Sequence, residues 1–248
     1  MMMLPCCANS ILAYNNPVNP TIELLQKSSL FQPLPTAALE ELVSLSRPRA
    51  VEEGSFFFMQ GDEARHMYVL TQGQVKLTQL SPDGHQVVMR MLVSGEMFAG
   101  IAILSPKKGY PVSAEAMSDS SALAWEGKDL RAVADRYPAL SLSIMDVMRA
   151  YIQEMQSRYR ELATEQVDQR VARALLRLTM QVGQKLAEGG IEIVLSRQDI
   201  AQMSGTTIFT VSRIFSKWEG QGLIETGRER VVIRRPHSLV SIADGLEK

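Results

Sequence analysis

Ser196–Ile224, SRQDIAQMSGTTIFTVSRIFSKWEGQGLI, reads as a helix, a tight turn and a second helix. Ser196 is a good N-cap, and Ile200, Ala201 and Met203 give the first helix an apolar side before Gly205 stops it. Thr206 or Thr207 can cap the second helix, whose buried face holds Val211, Ile214, Phe215 and Trp218. Ala201 is small where two helices must cross closely, Gly205 can take the left-handed turn, and Val211 fills the space between them. That spacing is what a helix-turn-helix requires.

Working outward, GLIETGRERVVIRR after the second helix predicts two strands about a turn near Gly227 and Arg228, a β-hairpin wing. Before the motif, Ile191–Leu195 predicts a short strand. A helix is expected over Val167–Lys185, ended by Gly189 and Gly190, with Val171, Ala174, Leu175, Leu178 and Val182 on one face. Between Ser196 and Arg235 there are 7 Lys/Arg against 4 Asp/Glu, a modest basic excess in a chain whose net charge is −1.

A second helix-rich stretch lies upstream. Pro138 opens a run without Gly or Pro to about Ala163, and Ile144, Met148, Tyr151, Met155 and Leu162 follow one another at coiled-coil spacings, with Arg158 in the missing position. We read this as a parallel homodimer seam. Residues 128–137 predict a shorter helix before it.

Earlier still the pattern is β. Gly54, Gly61, Gly73, Gly84 and Gly95 separate the short runs SFFFM, HMYVL, QVKLTQL and HQVVMRML, and SALAW follows later. Runs of this length and spacing predict a small antiparallel roll of jelly-roll type. Asp83-Gly84 predicts a hairpin turn with both residues at positive φ. In the strand after Gly73, Val75 and Leu77 face one way and Lys76 and Thr78 the other. The roll breaks at GEMFAGIAILSPKKGYPVSAEA, where Ile101–Leu104 reads as one helical turn. A glycine-flanked turn there offers free N–H groups to a small ligand. Upstream of the roll, Thr21 begins the ordered part, and Leu39, Leu42, Val43 and Leu45 mark a short helix ended by Pro48.

The fold class is therefore α+β: a tail (1–20), an antiparallel β-roll (21–130), a dimerisation helix (131–165) and a winged helix-turn-helix (166–248). A chain of 248 residues with 46% hydrophobic residues can bury two cores. Cys6 and Cys7 are its only cysteines, a composition that fits a reducing cytoplasm. No apolar run reaches transmembrane length, and the opening segment lacks the basic start of a signal peptide. A cupin-type metalloenzyme would need clustered histidines; the roll has His66 and His85 and no H-x-H, so no enzyme is expected.

Together QGDEARHMYVLTQGQVKL, SPDGHQ, GEMFAG and the 196–224 motif resemble the Crp/Fnr family of bacterial transcription regulators, from about Leu24 to Arg235. The resemblance implies a dimer on a palindromic double-stranded DNA site, with RNA polymerase as a further partner and no membrane. On the second helix it implies base reading by Thr207, Ile208, Phe209, Ser212 and Arg213. Ser196, Arg197, Thr206, Thr210 and Lys217 suit phosphates. Arg213 can fork to guanine O6 and N7. Many relatives carry Glu where this chain has Phe209, so the cytosine that such a Glu reads is expected to lose its role.

The effector is where the chain departs from the pattern. The family's cyclic-nucleotide readers hold the ribose with a Glu just after F-x-G and the phosphate with an Arg some ten residues on. Here Phe98-Ala99-Gly100 is followed by Ile101, and no arginine lies between Arg90 and Arg131, so cAMP is not expected. Lys107 and Lys108 sit in a Pro-Gly loop and read as solvated. Two adjacent cysteines cannot supply the four of the family's iron–sulfur cluster. Three options stay open: haem on His66, His85, Met67 or the Cys6/Cys7 pair; an apolar molecule in a pocket of Phe98, Gly100, Ile101, Tyr110 and Val112; or an empty pocket.

Overall fold

The computed structural model describes residues 20–100 and 108–246. Two N-terminal helices, α1 (Pro20–Lys27) and α2 (Thr36–Leu45), precede eight strands: β1 (Arg47–Val51), β2 (Phe56–Phe58), β3 (His66–Gln72), β4 (Val75–Leu80), β5 (Gln86–Leu92), β6 (Met97–Phe98), β7 (Ser113–Ala116) and β8 (Ser120–Glu126). Helices α3 (Gly127–Arg136) and α4 (Pro138–Thr164) lead to α5 (Val167–Val182). Strands β9 (Gln184–Lys185) and β10 (Ile191–Val194), helices α6 (Arg197–Ser204) and α7 (Ile208–Gly220), strands β11 (Ile224–Gly227) and β12 (Arg230–Ile233), and α8 (Pro236–Ala243) complete the chain.

The roll is a sandwich of two antiparallel sheets, ordered β1-β8-β3-β6 and β2-β7-β4-β5. Their inner faces share one core, including Phe58, Tyr68, Leu70, Val75, Leu92 and Phe98. Both outer faces are covered as well. On the first sheet, Met67, Val69 and Trp125 pack under α1 to α4, and the Trp125 indole donates to the Leu42 carbonyl at 2.7 Å. On the second, Val88 and Met91 of β5 join the core of the C-terminal unit. A strand buried on both faces loses the alternation of a half-solvated one, which is why HMYVL reads as a continuous apolar run.

Several elements differ from the sequence reading. The helix ending at Pro48 stops at Leu45, and Pro48 instead lies in β1, an edge strand where its missing N–H is tolerated. At the β4–β5 turn Gly84 alone has positive φ (85°); Asp83 does not, because Ser81 closes a longer loop through bonds with His85. Helix α5 ends at Val182, not Lys185: Gln184 and Lys185 pair with β10, and Gly189 and Gly190, both at positive φ, turn that hairpin. Strands β6 and β9 are two residues each, and with α8 they were not anticipated.

The long helix also changes role along its circumference. Ile144 is buried in the chain's own core, while Met148 and Tyr151 line the cavity against the roll and are still 40% and 39% exposed. Arg158 turns inward to the Met89 carbonyl (2.6 Å) and Glu154 (2.7 Å), and burial holds its guanidinium below the usual range. The exposed large apolar positions of this helix are Leu142, Met145, Met148, Tyr151, Ile152, Tyr159 and Leu162. Among them Met145, Met148, Ile152, Tyr159 and Leu162, with the half-buried Met155, follow one another at spacings of three and four residues, a stripe that keeps Met148, Met155 and Leu162 of the sequence reading.

Candidate nucleic-acid interface and effector pocket

Helix α6 starts where the Ser196 hydroxyl accepts the Asp199 N–H (3.1 Å), and it ends at Gly205, which adopts φ 61°. Thr207 caps α7 by accepting from the Thr210 N–H at 3.2 Å. Ile200, Ala201, Val211, Phe215 and Trp218 are buried between these helices and α5, as a helix-turn-helix requires. This leaves the N-terminal half of α7 facing solvent. Thr207, Ile208, Phe209 and Arg213 are exposed, and Thr210 and Ser212 half-buried. Phe209 is 82% exposed, which apolar burial disfavours unless a partner covers the ring. Among the described residues no ion pair engages Arg213 or Lys217.

The wing is tied to this helix. Glu219 accepts from the Thr226 N–H (2.8 Å) and hydroxyl (3.1 Å), and Arg197 donates to the same hydroxyl at 3.0 Å. Two wing arginines are occupied: Arg230 lies 3.1 Å from Glu192 and Arg234 2.7 Å from Glu225, whose carboxyl the Arg234 hydrogen bond holds below its ordinary value. Of the residues read from sequence as phosphate contacts, Thr206 precedes α7 and Lys217 lies in its last turn, while the Ser196 hydroxyl is engaged by Asp199.

Between roll and long helix lies an apolar cavity of about 230 Å³. Phe98, Gly100, Tyr110 and Val112 line it, as read from sequence; Ile101 and the helical turn at 101–104 lie outside the described residues. Ala99, beside Phe98, is held at φ 63°, a conformation costly for a side chain and common at ligand sites. Tyr110 stacks on Phe58 at 3.8 Å, and its hydroxyl accepts from the His66 N–H (3.0 Å) and donates to the His66 carbonyl (2.8 Å); burial pushes its phenol up. Sequence reasoning missed Arg90, the one charged side chain in the wall among the described residues, because it precedes the Phe98 segment. It is already held by Glu96 at 2.7 Å, with Glu154 at 3.9 Å.

Neither His66 nor His85 lines the cavity. His85 is an exposed residue of the β4–β5 hairpin beside Asp83, and His66 starts β3. Met67 is buried under the N-terminal helices, and Cys6 and Cys7 lie outside the described residues. Among the described residues, His66, His85 and Met67 are not brought together as haem ligands.

Residues 48–137 match the cyclic nucleotide-binding domain family, and residues 169–242 the Crp-like helix-turn-helix domain family. The chain is 28% identical over 209 residues to the transcriptional activator protein Anr of Pseudomonas protegens, covering 84% of each. It is 26% identical to the CRP-like cAMP-activated global transcriptional regulator of Mycobacterium tuberculosis, over 85% of this chain and 94% of the relative. The solved structure of FixK2 from Bradyrhizobium japonicum superposes with a TM-score of 0.69 at 21% identity, covering 79% of this chain and 96% of that one, a likeness of fold. The chain belongs to the Crp/Fnr family of transcription regulators. Among the described residues no helix is long and apolar enough to cross a membrane.

Proposed function

We propose that this protein is a homodimeric regulator that reads a palindromic DNA site through α7 and answers to an uncharged, apolar effector. The observation that carries the DNA reading is the exposed pair Phe209 and Arg213 on a helix capped, buried behind and buttressed by its wing. Arg213 forks to a guanine, and Phe209 packs on thymine methyl groups in place of reading cytosine. The heptad seam of α4 supplies the partner subunit's contact, which sets two copies of α7 about one helical turn apart.

The effector reading rests on the cavity wall. A cyclic phosphate needs an unengaged guanidinium, and the one in the wall is compensated by two carboxylates. Apolar side chains, three of them adaptable methionines (Met89, Met97 and Met148), suit an apolar guest instead. The Mycobacterium tuberculosis relative is cAMP-activated by its name; this chain is proposed to be insensitive to cAMP. Selection of binding sites from random duplexes tests the first reading: recovery of no palindrome would refute it. Calorimetric titration with cAMP tests the second, and saturable binding in the roll would overturn it.

A further inference from the structure

The outer face of β4 carries a lysine where a packed sheet face favours apolar residues. Lys76 is 8% exposed, with its Nζ 3.0 Å from Asp199 Oδ1 and 3.3 Å from Glu115 Oε2. Glu115 is its neighbour across β4 and β7, but Asp199 lies 123 residues away, in the first turn of α6. The same carboxylate receives the Ser196 hydroxyl that caps α6. A buried ammonium therefore joins the roll directly to the N-cap of the helix-turn-helix, inside an apolar seam where Val88 and Met91 meet Ile200 and Met203.

The hairpin that bears this lysine has two occupied sides. Lys76 pairs across the ladder with Met91, facing the C-terminal unit, while the next pair, Leu77 and Arg90, lines the cavity. A bulge sets Thr78 opposite Val88 and leaves Met89 extra; its side chain lines the cavity and its carbonyl receives Arg158 of α4. Cavity wall, long helix and ion cluster thus meet on a few residues of two strands.

We propose that Lys76, Asp199 and Glu115 form a latch that holds the helix-turn-helix on the roll in its DNA-competent orientation, with the cavity acting on it through the β4–β5 hairpin. The DNA-competent part of this statement rests on the regulator function proposed above. Docking engages the start of α6 and leaves Phe209 and Arg213 of α7 exposed, so it fixes the reading face without covering it. Only a fixed reading face keeps two copies at the spacing a palindrome demands. Removing the lysine leaves two carboxylates facing each other in a poorly hydrated seam, whereas in the undocked form each is hydrated separately. The docked population then falls, and with it the apparent affinity for DNA.

The test uses the full-length protein with Lys76→Met, Asp199→Asn and Glu115→Gln. Two readouts are compared: affinity for the selected palindrome, and the rate of Glu-C cleavage after Glu165 in the hinge between α4 and α5. Lys76→Met and Asp199→Asn are expected to speed cleavage and weaken DNA binding by about tenfold or more. Glu115→Gln, which leaves a one-to-one pair, is expected to retain both wild-type values. Unchanged cleavage in Lys76→Met and Asp199→Asn overturns the latch. Faster cleavage with tighter DNA binding overturns its direction, making it inhibitory. A wild-type protein that binds no DNA refutes the regulator function, while the cleavage comparison still decides whether the latch exists. Asp199→Asn keeps the lysine and its Glu115 partner, so it carries the test if Lys76→Met does not fold.

Discussion

A β-carbon on Gly205 would stand 2.8 Å from Cδ2 of Leu162. The turn of the helix-turn-helix and the end of the long helix therefore meet at a residue that also needs φ 61°. Gly205→Ala should lose about 1–2 kcal/mol of stability from the left-handed conformation alone. The contact adds to this, and Leu162→Ala in the same chain should recover the contact's share but not the backbone's. Thermal melts of the wild type, Gly205→Ala, Leu162→Ala and the double variant separate the two.

Arg213→Ala should relax selection at one base pair of each half-site, at a cost of about 1–3 kcal/mol in discrimination, without changing stability. Phe209→Ala should be equally silent in a melt, since its ring is 82% exposed, yet lower preference for thymine. Phe209→Glu should introduce a cytosine preference. Binding-site selection with each variant reads all three.

Ile152→Glu and Tyr159→Glu place charge on the exposed heptad seam and should yield folded monomers that bind a palindrome poorly. Ile144→Glu buries a carboxylate in the N-terminal core and should unfold the roll at a cost of several kcal/mol, about 3–5. Sedimentation velocity with circular dichroism distinguishes the two outcomes.

Tyr110→Phe removes the hydroxyl that serves both the N–H and the carbonyl of His66. Leaving these part-buried groups unpaired should cost about 1–3 kcal/mol, read in urea denaturation. Because burial raises the Tyr110 phenol in the folded chain, the wild type's advantage over Tyr110→Phe should be full below the ordinary tyrosine pKa and narrow as pH rises above it, where the unfolded chain gives up the proton first.

The helix-turn-helix was legible because its signals are local: a cap, a left-handed glycine and a four-residue apolar face within 29 residues quoted from the chain. The strands were legible from their glycine punctuation. What stayed hidden depends on distant partners. Ile144 and Met145 are adjacent and both apolar, so only the covering roll decides which of them faces out. Arg90 read as an ordinary strand residue until Glu96 and the long helix enclosed it. Lys76 read as the polar side of an alternating strand, and its burial follows from an acid 123 residues further on. For the pocket the sequence offered absences, a glutamate just after Gly100 and an arginine some ten residues on, more than residues present.

The wing's ion pairs have a kinetic consequence. Arg230 and Arg234 neutralise carboxylates of their own chain, so fewer cations are left to displace counterions from a duplex. Each phosphate neutralised steepens the salt dependence of binding by about 0.9 in the log–log slope, and that same sequence-blind attraction retains a protein while it slides. On the regulator function proposed above, a reading head with apolar Phe209 forward and Arg230 and Arg234 paired would hold wrong sequences only briefly. It would scan a genome by frequent release and rebinding, and its occupancy of target promoters would change little when cellular ionic strength rises.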